Sequence, residues 1–187
     1  MKYYLVITTI LVLSACAGNS RISSVESEGN LAESNPLPCI PANSVQNTNT
    51  PPDIAAGARS CAAKGNYDQS AELIMVASAF AFYDTQRVAD KSAHGALTGV
   101  FSQNFMALSE PDRKKLFSSI NTLDDDKSRK DQLCSFLSAS LPPNYMPNYM
   151  IKHGMKQFTG NNEEPLIGDF NSKQSWSKAI EFVKCSS

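Results

Sequence analysis

Clustered positive charge is missing from this 187-residue chain: 17 lysines and arginines are scattered among 18 aspartates and glutamates, for a formal charge of −1. With no basic block to neutralise a run of phosphates, nucleic acid is not expected as a partner. Histidine is nearly absent, His94 and His153 being the only two. The chain has no G-x-S-x-G, no H-E-x-x-H and no phosphate-cradling glycine loop, so the familiar catalytic constellations are lacking. It has no C-x-x-C pair, and no cysteine lies at ligand spacing from a histidine. Zinc and thiol-redox chemistry are therefore poorly supported, and no cofactor or metal is expected. The N-terminal apolar run, Leu5 to Leu13, falls well short of the ~20 residues a membrane-spanning helix needs.

That short run reads as a secretory signal instead. Met1-Lys2-Tyr3-Tyr4 carries one cationic side chain, the apolar core follows, and Leu13-Ser14-Ala15-Cys16 puts small side chains just before a thiol. The tetrapeptide resembles the lipobox of bacterial prolipoproteins. The resemblance implies that the Cys16 thiol is diacylglycerated, that residues 1–15 are cut away, and that the new amino terminus is acylated. Several acyl chains exceed the two-signal threshold for stable anchoring. Losing Lys2 leaves a charge of about −2. Ala17 follows the cysteine where the family's inner-membrane retention signal has aspartate, so in a Gram-negative host the implied address is the outer membrane, with the domain facing the periplasm.

Cys39, Cys61, Cys134 and Cys185 remain, an even number in an oxidising compartment, which favours two disulfides. Three pairings are open. Cys39 with Cys61 and Cys134 with Cys185 is preferred, because it ties the end of the tether to the first helix and the last helix to the middle of the domain. Residues 16–52 form the lipidated terminus and a Ser/Asn/Pro-rich stretch without helical or strand period, expected to be a flexible linker with its later part held by Cys39. From Ala17 to Pro38 it would reach some tens of ångströms at about 3.3 Å per residue.

A single domain is expected over residues 53–187, all-α, with seven helices and no strand, arranged as an irregular bundle or a short superhelix of helical hairpins. Asp53 is the expected cap of a first helix that stops at Gly65. Gly65, Tyr67, Ala71 and Leu73 resemble the helix-turn-helix of a tetratricopeptide or Sel1-like repeat over residues 54–83, which implies one helical hairpin, with no second copy at a repeat period. From Ala71 to Tyr83 only Glu72 is charged, so that helix belongs at the centre of the fold. Residues 86–108 show amphipathic spacing, with either close packing or a break at Gly95. Ser109 caps the next helix. Asp124 to Asp126 open the one after it and suit its dipole better than a calcium loop, with Asp125–Arg129 and Asp126–Lys130 expected as pairs. Pro142 and Pro143 end that helix, and Trp176, Ala179, Ile180 and Val183 mark the inner side of a terminal one.

The stretch "PPNYMPNYMIKHGMKQF" is the most unusual. Capped by Asn144, a helix there would carry Tyr145 and Tyr149 on one stripe and Met146 and Met150 on the next, a face suited either to core or to a protein partner. Met150 and His153, with Met146 further along, suggest a Cu(I) site as a minor alternative. Asp90 beside His94 offers a base with its orienter, and Glu33-Ser34 matches a dipeptide found in all-α lipoproteins that cleave peptidoglycan, although it lies in the linker. The reading these features favour is a lipid-anchored, non-catalytic domain that binds an envelope protein, as an assembly helper or as an immunity protein against a periplasmic toxin. The alternatives are a carboxylate hydrolase and a copper-binding lipoprotein.

Overall fold

The structure is a computed structural model that describes residues 27–159 and 164–185. Cys16 and the signal sequence lie outside the described residues. Among those described, seven α-helices occur: α1 (Pro51–Ala63), α2 (Tyr67–Arg87), α3 (Ala96–Met106), α4 (Glu110–Leu123), α5 (Lys127–Ala139), α6 (Asn148–Ile151) and α7 (Ser172–Phe182). Three 3-10 turns accompany them, and among the described residues the only β feature is one bridge between Val88 and Leu166. The protein is thus an all-α helical bundle.

Helix α1 starts earlier than its sequence suggests. Thr50 is the cap and Asp53 the third residue of a capping box, with Pro51 and Pro52 in the first turn, where no N–H is needed. The chain leaves α1 through Gly65 at φ +81°, a conformation that glycine adopts without strain. It then enters α2, which packs most extensively on α1 and also meets α4 and α7. Leu73, Val76, Phe80 and Tyr83 are buried along it, in keeping with a helix apolar on almost every side. Phe80 meets Trp176 of α7 edge-on, with ring centres 5.5 Å apart.

Residues 86–108 do not form one helix. After α2 the chain pairs briefly with Leu166, turns through Lys91–Gly95 capped by Asp90, and restarts as α3 at Ala96. The other glycine of that stretch serves close packing: a Cβ on Gly99 would lie 2.6 Å from Leu31 Cδ1. Leu31 itself is buried, as are Ala42 and Val45. From its first described residue, then, the stretch 27–50 packs on the domain and departs from the flexible linker that its composition suggested. A few scattered apolar side chains anchor it. So does the buried carboxylate of Asp53, whose Oδ1 accepts the backbone N–H of Ser34 and of Asn35, each at 2.7 Å.

Cysteines pair as Cys39–Cys61 and Cys134–Cys185, the preferred arrangement. Ser109 caps α4 as expected, whereas of the three acids expected to open α5 only Asp126 touches it, as its cap, and its first turn holds none. The ion pairs anticipated at Arg129 and Lys130 are replaced by others: Arg129 meets Glu72 at 3.0 Å and Asp68 at 3.2 Å on α2, and Lys130 meets Asp124, in the turn before α5, at 2.6 Å. Arg129 lies on the side of α5 that faces α2, so its contacts across helices displace the contact along its own. Asp124 also receives Lys184, at 2.7 Å.

Candidate functional site

Asp84 closes the last turns of α2 with no solvent exposure, and three side chains converge on it. The Tyr145 and Tyr149 hydroxyls each donate to Oδ2 at 2.9 Å, while Arg87 Nε, one turn on, donates to Oδ1 at 2.8 Å. Arg87 Nη2 completes the ion pair, 2.7 Å from Oδ1. The guanidinium also lies over two rings, 5.1 Å from the centre of Tyr83 and 4.9 Å from that of Tyr145. Burial pushes the Asp84 carboxyl up to about 6, against the opposing pull of the Arg87 charge and the donated hydrogen bonds. Burial and the Asp84 charge hold both tyrosine hydroxyls well above their ordinary value, so they remain protonated donors.

The tyrosines reach Asp84 because the chain after α5 does not become a helix at once. Asn144 N–H donates to the Asn47 carbonyl at 2.7 Å, Asn47 Nδ2 donates to the Pro142 carbonyl at 3.1 Å, and helical backbone appears only at Asn148. This corrects the amphipathic helix expected from Asn144 onward. Tyr149 and Met150 are buried, Tyr145 is half-buried with its hydroxyl inside, and Met146 alone of the four is exposed. The four residues therefore present no continuous Tyr/Met face to a partner; two of them belong to the core.

Above Arg87 lies an open groove of about 430 Å³, within the range of ligand sites. Tyr83 and Phe170 contribute aromatic surface, Pro142 and Pro143 one wall, and Leu166 and Ile167 another. The second wall is pinned by backbone bonds, Ile167 N–H to the Arg87 carbonyl and Ala89 N–H to the Pro165 carbonyl, both 2.9 Å. On the rims Leu141 is 72% exposed and Ile167 46% exposed, a large apolar outlay for residues with no internal packing to do.

Other candidate residues do not assemble into sites. Asp90 is occupied by the Ser92 backbone and hydroxyl and by the Lys156 backbone N–H, whereas His94 Nε2 lies 3.0 Å from the Val88 carbonyl, so the two form no base and orienter. Glu33 pairs with Arg59 at 3.4 Å. His153 Nδ1 meets Asn30 Oδ1 at 2.9 Å, while the Met150 sulfur is sealed in the core. Among the described residues there is no group of three or more His, Cys, Asp or Glu side chains placed to hold a metal, and no helix long and apolar enough to cross a membrane.

The Asp84 cluster escaped sequence reading, yet a signal was present. An aspartate and an arginine three apart at the end of an all-round apolar helix must be buried together or leave the helix. The chain matches no family model, no curated protein and no solved structure.

Proposed function

We propose that this chain is a lipid-anchored protein of the bacterial envelope, held in the outer membrane of a Gram-negative host with its helical domain in the periplasm, and that the domain works by binding another protein and not by catalysis. The groove over Arg87 carries the reading. Its rims offer apolar surface to an incoming chain, and its base is held rigid by the Asp84 network, so little ordering is needed on binding. Two disulfides suit an oxidising compartment. The anchor rests on Leu13-Ser14-Ala15-Cys16.

The test places a photo-crosslinking residue at Leu141 and at Ile167 of the full chain in intact cells, with Lys114, outside the groove, as control. One protein should be captured from the first two positions and not from the third. A secreted toxin among the products would assign an immunity role, and a resident complex an assembly role. An absence of adducts from both groove positions overturns the binding reading. For the anchor, Cys16→Ser should abolish palmitate labelling, and labelling that persists defeats it.

A further inference from the structure

We propose that the turn Met155–Phe158 rests on the phospholipid bilayer that holds the lipid anchor, with the Met155 and Phe158 side chains entering its interface; the inference rests on the lipid-anchor reading and adds the face that the domain turns to the membrane.

Ser27–Leu31 joins the domain beside this turn. Asn30 Oδ1 meets His153 Nδ1 at 2.9 Å, and the Leu31 N–H donates to the Tyr149 carbonyl at 3.2 Å. Gly29 runs so close to Lys152 that a Cβ there would lie 3.0 Å from the lysine Cδ. Met155 comes two positions after His153 and is fixed to the domain in turn: its N–H donates to the Ser92 hydroxyl at 2.8 Å, and the Lys156 N–H donates to Asp90 Oδ2 at 3.0 Å.

Met155–Phe158 is a 3-10 turn, in which side chains three apart eclipse. Met155 and Phe158 therefore share one face. The bonded backbone holds that face outward, with Met155 63% and Phe158 48% exposed. Two large apolar side chains are thus kept in water on a rigid support.

Exposure alone names no partner, but the length of the leash does. Cys16 and Ser27 are eleven positions apart, so by whatever path the chain runs, Ser27 stays within about 40 Å of the acylated residue. A compact domain of this size is itself about 40 Å across. Turning the opposite face to the bilayer would therefore take up the whole leash, whereas turning the Ser27 side toward it takes up almost none. Had the chain run free to Pro38, as its composition suggested, about twice the reach would have left every orientation open.

Tethering also lets two side chains suffice. With the anchor already in the bilayer, contact is an intramolecular event at high effective concentration. Charge contributes little, because Lys91, Lys152 and Lys156 are offset around the turn by Glu28, Asp90 and Glu164. Apolar insertion, and not attraction to anionic headgroups, then holds the face.

The experiment uses the lipidated full chain in phosphatidylcholine vesicles whose acyl chains carry bromine close to the headgroup, a contact quencher of tryptophan. Met155→Trp and Phe158→Trp put the reporter on the face. Phe117→Trp puts it at a position 57% exposed on α4, which packs on α1, α2 and α5, and the native Trp176 is buried. Relative to unbrominated vesicles, emission at 155 and 158 should fall at least about twofold, since interfacial side chains lie ~5–10 Å into the headgroup–acyl boundary. The Phe117→Trp variant and the parent should change little. The contrast should persist in about 1 M salt, where charges are screened beyond about 3 Å. Quenching no greater at 155 and 158 than at 117, or lost in that salt, overturns the proposal. If this happens in protein that carries the palmitate label and floats with the vesicles, the docking face falls and the anchor stands. If the parent chain carries no label and does not float, the anchor falls and the docking face with it.

Discussion

Tyr149 donates its hydroxyl to Asp84 across 65 positions of chain at 2.9 Å. The bond joins the one-turn helix α6 to the end of the central helix α2, and it does so inside the protein, where an ionised carboxylate without donors would be expensive. Tyr149→Phe keeps the ring and removes one donor. A hydrogen bond to a charged group is worth about 1.5–3 kcal/mol, so the variant should lose about that much stability at pH 7.5, measured by urea unfolding. A change within experimental error would mean that Asp84 is not ionised there.

The pH profile follows from the same carboxyl. Its folded value is raised to about 6 from the ordinary 3.8, so between those values the folded protein holds more protons than the unfolded chain. The stability contributed by Asp84 is therefore fully present below 3.8 and is lost as pH rises through about 6. The carboxyls of Asp112 and Asp124 are lowered, by the Ser109 hydroxyl bond and by the Lys130 bond respectively, so their contribution is present above the ordinary value and is lost on further acidification. Melting temperature should rise as pH falls from 7.5 toward about 4 and drop below that. In Asp84→Asn the rise should flatten while the acid limb persists.

Local chemistry made much of this fold legible. Ser109 and Asp126 cap their helices with side chains three residues from the N–H they accept, and Gly65 stops α1 by its own φ. The period of α2 revealed its central place because burial on every side leaves no polar stripe. What escaped reading depends on partners distant in sequence. Nothing near Asp84 announces tyrosines 61 and 65 positions away, or the strap that pairs Ile167 with Arg87. Residues 27–50 were hidden for a related reason. Ser, Asn and Pro composition averages over a segment, whereas Leu31 and Val45 hold it at single points, and the carboxylate that fixes Ser34 and Asn35 belongs to α1.

The two disulfides should differ in worth. Cys134–Cys185 spans 51 positions and Cys39–Cys61 spans 22. By the chain-entropy relation the longer loop contributes about 4 kcal/mol and the shorter about 3. Replacing each pair by serines should lower stability in that order, read from free energies extrapolated to zero denaturant, because opening a cross-link expands the unfolded chain and raises the slope. Thiol counting on denatured, unreduced protein should find none of these four cysteines free, and four free thiols would remove the framework altogether.

Met146 and Met150 lie one helical repeat apart in sequence and in opposite surroundings in space: Met146 is 45% exposed, whereas Met150 is fully buried beside Leu31, Val88 and Val100. An α-helix from Asn144 would have put them on one stripe with a shared fate. Because helical backbone begins only at Asn148, they part. Truncating a buried methionine removes its transfer energy and leaves a cavity, so Met150→Ala should cost about 2–5 kcal/mol. Met146→Ala should stay within about 0.5 kcal/mol of the parent. Urea unfolding of the two variants measures the contrast. Similar losses for both would mean that the stripe of the longer helix, and not the observed turn into the core, describes this segment.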